Sequence, residues 1–574
     1  MSVAMFSSTH LNEMRRQAKV SFKPLASPHP PVVLFFSCSD GRARAQVITA
    51  TGSSFESSWQ KGMAAIRELA LKLDRPLRWL RVDWPGEVHK VNWAGLRELL
   101  SSTKRNYFRL GLALDEGFSC AFLEQELNAN AMLYGGKGID TATLNEKNFL
   151  IYFRSRFPGL PEPDFCSSQP IYLFSGAGLF LDGDDIFPLH PTGLKAGRRV
   201  VGEAGIPLLS SLISDASRYL TRQVCPDGLF VYGYHPCFDR QINAYNTLRH
   251  ASTTYAMIEA YELTQDEELR CAIERSLKKM THDFIKQVDL ADGTPAAFLT
   301  ERNLEIKLGG NAVALLALAK HAQVFGTEAN AALMARLAEG ICFMQDRKSG
   351  AFRHVLMFPT LETREQYRTI YYEGEAAFAL MRLYELTGDQ KWLDSVEMAF
   401  GHFIANNYAR HHDHWLGYCV NELTRYRPRE EYFRFAIDNV ADYLDFVATR
   451  ITTFPTLLEL MMATSQTLTR LNSLPGLRHL LGLVDLKKFE KALDKRVHHL
   501  LNGHFWPEYA MFMRNPERIL GSFFIRHHAF RVRIDDVEHY LSGLIAYKAY
   551  LEKQILRRLG GGEESGPQRL ATVA

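Results

Sequence analysis

Tyr371-Tyr372-Glu373-Gly374-Glu375-Ala376, running into Leu380-Met381-Arg382-Leu383-Tyr384-Glu385-Leu386 and closing on Thr387-Gly388-Asp389, reads as one helix with its own start and stop. Polar and small residues open it, an apolar run fills it, and Gly388 is placed to end it. A helix that is apolar all round belongs inside a protein.

The same opening recurs along the chain. Apolar helices are predicted from near Asn243, through Arg249-His250-Ala251-Ser252-Thr253-Thr254-Tyr255, and from Gly309-Gly310-Asn311-Ala312-Val313. Others follow His412-Asp413-His414-Trp415, Thr453-Phe454-Pro455 and Asp535-Asp536. Between them lie amphipathic helices near 207–223, 265–287, 328–345, 389–406, 430–449 and 485–501, with turn signals such as Phe325-Gly326-Thr327. Six apolar helices alternating with six amphipathic ones must stack to bury their faces. The predicted fold is mainly α, an (α/α)6 toroid over 207–556 preceded by a smaller α+β domain. The inner helices would converge by their N-termini, where dipoles and unpaired N–H groups favour anions.

Before the toroid the periods are mixed. Residues 1–29 form an N-terminal segment without an apolar run of signal-peptide length. Residues 30–156 read as the α+β domain: strands at Val32–Phe36, Ala43–Ala50 and Leu77–Val82, a hairpin at Phe108–Leu114 and Phe118–Phe122, and a helix at Ser57–Leu73 capped by Ser53 or Ser54. No GxxxxGK[ST] or GxGxxG supplies a phosphate cradle there. The Pro- and Gly-rich stretch 157–206 reads as a linker, and 557–574 as a disordered tail.

Composition narrows the function classes. With 574 residues, 46% hydrophobic, 23% charged and a net charge of +3, nothing points to nucleic acid or an anionic membrane. No apolar run approaches the roughly 20 residues of a membrane span. The eight cysteines show no CxxC pair or zinc spacing, which suits reduced thiols and a cytoplasmic location.

The paired helices, with Tyr371 to Asp389 as the example, resemble the six-hairpin (α/α)-barrel carbohydrate enzymes: glycoside hydrolases, N-acylglucosamine epimerases and unsaturated uronyl hydrolases. The resemblance covers roughly 205–555 and concerns the repeat style. It implies a carbohydrate-active enzyme and carries no family's catalytic residues.

The candidate site residues are those at inner-helix starts. The stretch Arg526-His527-His528-Ala529-Phe530-Arg531-Val532-Arg533-Ile534-Asp535-Asp536 concentrates them before the last helix. Glycoside hydrolysis needs two opposed carboxyl groups, and Glu375 with Asp413 or Asp536 would serve; helix capping is the competing role for Glu373 and Asp536. His250 and His528 are the histidines expected to assist, with backbone hydrogen bonding as the alternative. Arg249, Arg526, Arg531 and Arg533 would hold an acidic sugar, unless they pair with Asp535, Asp536 and Glu375. Tyr372, His414, Trp415 and Asn311 complete the expected substrate contacts. No metal or cofactor is expected; His412-Asp413-His414 lacks a third cluster at fixed spacing, and Asp535-Asp536-Val537-Glu538-His539 departs from the DDxx(D/E) magnesium pattern. A hydrolase acting on an acidic carbohydrate is the primary expectation. An epimerase or lyase using His and Tyr, and a non-catalytic glycan- or protein-binding scaffold docking through the N-terminal domain, are the alternatives.

Overall fold

The computed structural model describes residues 6–165 and 168–560. Six helices close into a ring: Thr247–Thr264, Leu308–Phe325, Tyr371–Thr387, His414–Tyr426, Thr456–Asn472 and Ile534–Gly560. Each packs against the next, and the sixth packs back against the first. Their composition requires this inner position. In Leu308–Phe325 every residue from Leu308 to Ala319 is buried, so no face is left for solvent.

The outer layer is Ile206–Gln223, Glu267–Lys279, Ala331–Met344, Gln390–Ala405, Glu430–Asp438 and Leu486–Leu500. These helices bury one stripe each: Glu267–Lys279 buries Leu269, Ala272, Ile273, Ser276 and Leu277. Local chemistry sets the ends. Asp266, Asp389 and Asp485 accept backbone N–H groups at outer N-termini. Gly326 and Gly388 take left-handed conformations, φ +62 and +68, that end two inner helices where the turn signals predicted.

Residues before the ring build a seven-stranded antiparallel sheet in the order Gln46–Gly52, Val32–Ser39, Trp79–Val91, Ile171–Asp182, Gly111–Ala113, Ala121–Phe122; Asp185–Leu189 also pairs with Ile171–Asp182. Helix Phe55–Ala70 covers the first strands, with Ser54 as its cap. The expected hairpin near 108–122 is present as two very short strands. The expected linker 157–206 is corrected: it carries Ile171–Asp182, an interior strand of the sheet. Its apolar runs, Ile171–Phe174 and Leu179–Leu181, are buried and outweigh the flanking prolines and glycines. The expected tail is shortened too, because the last helix continues to Gly560; the rest of that stretch lies outside the described residues. Among the described residues no helix is long and apolar enough to cross a membrane.

The sheet docks on the segment 501–533 that precedes the sixth inner helix. The Ala45 N–H donates to the Met511 carbonyl at 2.7 Å, and Arg105 and Asn106 bond the backbone of His527 and Arg526.

Candidate active site

First turns of the inner helices meet at one end of the ring, and contacts between neighbours show it. Arg249 Nε donates to Asp535 Oδ2 at 2.8 Å, joining the first and sixth inner helices, as does Ser252 Oγ to Glu538 Oε2 at 2.6 Å. The Glu375 carboxylate of the third lies against Gly309 of the second. Gly374 abuts Asp413 at the start of the fourth. His414 Nε2 of the fourth is 4.0 Å from Glu459 Oε2 of the fifth, which accepts from His539 Nδ1 of the sixth at 3.0 Å. The sequence argument that ionisable residues collect at this end therefore has a direct geometric counterpart.

Two carboxyl groups there are pushed well above the usual carboxylate range. Burial, then the charges of Asp413 and Glu538, push Glu375 up to about 8. Its Oε2 is buried without a hydrogen-bond partner. Glu538 is likewise pushed up to about 8 by burial, against the pull of His539 and the Ser252 hydroxyl. The histidine side is opposite in sign. Burial opposes charge on His539, yet Glu459 and Glu538 raise it to about 10. Glu459, despite burial, is held below the usual carboxylate range by His539 and His414. His414 Nδ1 lies 3.3 Å from Asp413 Oδ1, and its Nε2 is buried without a hydrogen-bond partner.

The donor atoms of His414, Glu459 and His539 lie within 4.8 Å of one another, close enough to share a cation. As they stand, the Glu459–His539 contact is a charged hydrogen bond that already satisfies both groups. Beside this cluster, Tyr408 donates to Glu373 Oε1 at 3.1 Å and His354 Nε2 sits 3.5 Å from the same oxygen. The rings of Tyr371 and Tyr367 remain 39% and 55% exposed, the first 5.8 Å from His414 and the second 4.8 Å from His354.

The other expected residues are placed as follows. Asp413 caps its helix, accepting from the Trp415 and Leu416 N–H groups at 3.1 and 3.2 Å. Asp536 is gripped by both prongs of Arg531, at 2.8 and 2.7 Å, and Arg533 bonds Asp535. Arg249, Arg531 and Arg533 are thus engaged by Asp535 and Asp536. His250 is fully buried and faces outward: Tyr245 lies 2.7 Å from Nδ1, and Ser276 of the outer helix bonds Nε2. Burial pushes it down to about 4. His528 is pushed down to about 4 by burial and then Arg531 and Arg105, so it stays neutral among cations. Asn311 accepts from the Leu299 N–H at 2.5 Å and holds the strand before its helix. Trp415 packs among Phe378 and Tyr418, and buried Tyr372 flanks Gly309 next to Glu375. Arg526 is buried beneath the sheet, donating to Tyr509 Oη at 3.1 Å.

Glu459, Glu538, His539, His354 and Ser252 were not among the expected site residues. Glu459 carries the signal that singled out Glu375, a carboxylate in the first turn of an apolar helix (Thr456-Leu457-Leu458-Glu459). His354 precedes a short strand and has no such signal.

No family model matches the sequence, and no curated protein does. Similar solved structures include a D-mannose isomerase (12% identity over 61% of this chain and all of that one, TM-score 0.47) and a cellobiose 2-epimerase from Bacillus thermoamylovorans (8%, 60% and 99%, 0.46). An unsaturated glucuronyl hydrolase specific for heparin is similar at 12% identity, 61% and 99% coverage and TM-score 0.44.

Proposed function

We propose that the mouth of the helical ring is the active site of a carbohydrate-active enzyme that works by proton transfer at a sugar carbon, as an epimerase or isomerase does. Glu375 would be the acid, His414 Nε2 the base, and His539, held as an imidazolium by Glu459, would stabilise the developing oxyanion. Tyr367 and Tyr371 offer solvent-facing rings on which a sugar can lie. The resemblance of the paired helices to (α/α)-barrel carbohydrate enzymes supplies the substrate class.

One observation carries this reading over glycoside hydrolysis. A hydrolase needs an ionised carboxylate free to act as base or nucleophile opposite its acid. Asp413 is spent on a helix cap, Asp536 on Arg531, and Glu538, pushed up to about 8 by burial, is bonded by Ser252. His414 Nε2 is an imidazole nitrogen at the mouth without a hydrogen-bond partner, while Glu373, whose Oε2 is also unpartnered, is held through Oε1 by Tyr408. Incubating the protein with aldoses and ketoses in D2O tests the proposal. Incorporation of deuterium at the sugar carbon, lost in His414→Asn and Glu375→Gln, is expected. Cleavage of a glycosidic bond without exchange would overturn it.

A further inference from the structure

Three inner helices each bring one donor atom to the same point at the ring mouth. His414 Nε2 comes from the first turn of the fourth helix, Glu459 Oε2 from the first turn of the fifth, and His539 Nδ1 from the sixth. Glu459 Oε2 lies 3.0 Å from His539 Nδ1 and 4.0 Å from His414 Nε2, and all three atoms fall within 4.8 Å of one another. A tetrahedral ion about 2.1 Å from nitrogen and oxygen ligands sets those ligands roughly 3.4 Å apart. The two Glu459 spacings bracket that value. His539, with 24% of its side chain exposed, is the member that solvent reaches and an entering ion meets first.

The surroundings are those of a ligand set. His414 Nε2 is buried without a hydrogen-bond partner, which costs free energy whether it carries a proton or a lone pair. The other nitrogen of that ring is 3.3 Å from Asp413 Oδ1, the carboxylate–histidine arrangement that orients metal-binding imidazoles. The Tyr418 hydroxyl donates to Glu459 Oε1 at 3.3 Å and leaves Oε2 to the histidines. Charge points the same way. Glu375, Asp413, Glu459 and Glu538 are all buried at this end of the ring, and among the described residues no lysine or arginine pairs with any of them. The two imidazoles are the only ion-pair partners this group of four has, and carboxyl groups buried so short of cations are costly. Two imidazoles and a carboxylate suit a first-row transition ion such as Zn2+, whereas Mg2+ and Ca2+ take oxygen ligands.

We propose that His414, Glu459 and His539 form a binding site for one divalent transition-metal ion of the Zn2+ class, which silences the ring mouth when it is filled. The ion replaces the Glu459–His539 hydrogen bond and releases the shared proton to solvent. The inhibition rests on the functional reading above, because the ion occupies the His414 Nε2 that serves there as base; binding of the ion does not.

The test strips the full chain with EDTA and titrates it with Zn2+ by calorimetry, with thermal unfolding in parallel and Co2+ as a spectroscopic probe. Wild type should bind one Zn2+ per chain with a saturable rise in melting temperature, since only the fold brings the three ligands together. Bound Co2+ should show the intense visible absorption of a four-coordinate site, which loosely held surface ions lack. His539→Gln and Glu459→Gln should each weaken binding more than about 10-fold, the least that losing even a supporting residue around a metal costs. His479→Gln, which removes an exposed histidine outside the cluster, should keep the full isotherm. In D2O, exchange into sugar should fall as the isotherm fills and return when EDTA withdraws the ion. Absence of stoichiometric Zn2+ binding by wild type, or an unchanged isotherm in both ligand variants, overturns the site. Exchange that persists or rises at full occupancy overturns the inhibition. If neither the stripped nor the filled protein exchanges deuterium, the functional reading fails and the isotherm still decides the site. If both ligand variants fail to fold, the wild-type isotherm and Co2+ spectrum decide it.

Discussion

A Cβ placed on Gly309 would lie 1.9 Å from Glu375 Oε2, so the second inner helix must carry glycine for the third to hold its carboxyl group at the mouth. The same added atom would come within 2.5 Å of the Tyr372 ring. Both neighbours are side chains, and both can swing aside. Gly309→Ala should therefore fold, yet lose activity on the order of 100-fold, because about 1 Å of misplacement at a reacting group costs that much. Unchanged melting with collapsed turnover is the expected pair of measurements; full turnover would separate Glu375 from the chemistry.

Glu375 titrates near 8 by virtue of burial and the nearby carboxylates, far above an exposed glutamate near ~4.3. Its acid form is the one the folded chain prefers. The stability tied to that proton is complete below the unfolded value and is lost as pH rises through about 8. Activity that needs the acid should fall over the same upper limb. In Glu375→Gln the residual activity should lose that limb, and the melting temperature should decline less between pH 5 and 9 than in wild type. An unaltered alkaline limb in the variant would assign the limb to another group.

The helical ring was legible because its signals are local. Each inner helix announces itself by unbroken apolarity, as Leu308–Ala319 does, and each turn by residues such as Gly388. Which polar residue at a helix start does chemistry was not legible, because that depends on neighbours far away in sequence. His250 and His414 occupy similar positions, but the first turns toward Ser276 on an outer helix and the second toward Glu459. Arg531 and Asp536 suggested surplus charge when counted along the chain and prove to be each other's partners. The strand Ile171–Asp182 pairs on one side with distant Trp79–Val91, but its other partner, Asp185–Leu189, is a hairpin neighbour across Gly183-Asp184, a local signal that the flanking prolines and glycines masked.

His250 gives a sharp contrast between packing and catalysis. Its imidazole satisfies Tyr245 and Ser276 inside the first helix pair. His250→Ala leaves those buried groups unpaired at about 1–3 kcal/mol, beyond the cavity it opens. Chemical denaturation should show that loss, while turnover per folded molecule stays at the wild-type level. His414→Asn should do the reverse, lowering turnover by roughly 10²–10⁴-fold, the usual worth of a positioned base, with little change in the denaturation midpoint. Exchange of the two phenotypes would move the catalytic histidine to the first helix.

Asp535 ties the first inner helix to the sixth through Arg249 and Arg533. Burial works against its charge, but the two guanidinium groups hold it down to about 2. A carboxylate depressed in this way contributes stability above its unfolded value near ~3.9, and the contribution drains away as pH falls toward about 2. Asp536 beside it is shifted upward by burial and by Asp535, so its contribution has the opposite sign, and only the difference between variant and wild type isolates Asp535. Removing one partner of a fully buried pair costs ~3–5 kcal/mol. The Arg249 side chain is 33% exposed and partly screened, so Asp535→Asn should cost about 2–3 kcal/mol at pH 7. The gap in unfolding free energy should narrow as the solution is acidified below pH 4. A gap that stays constant down to pH 2 would mean that Asp535 carries no more charge in the folded ring than in the unfolded chain.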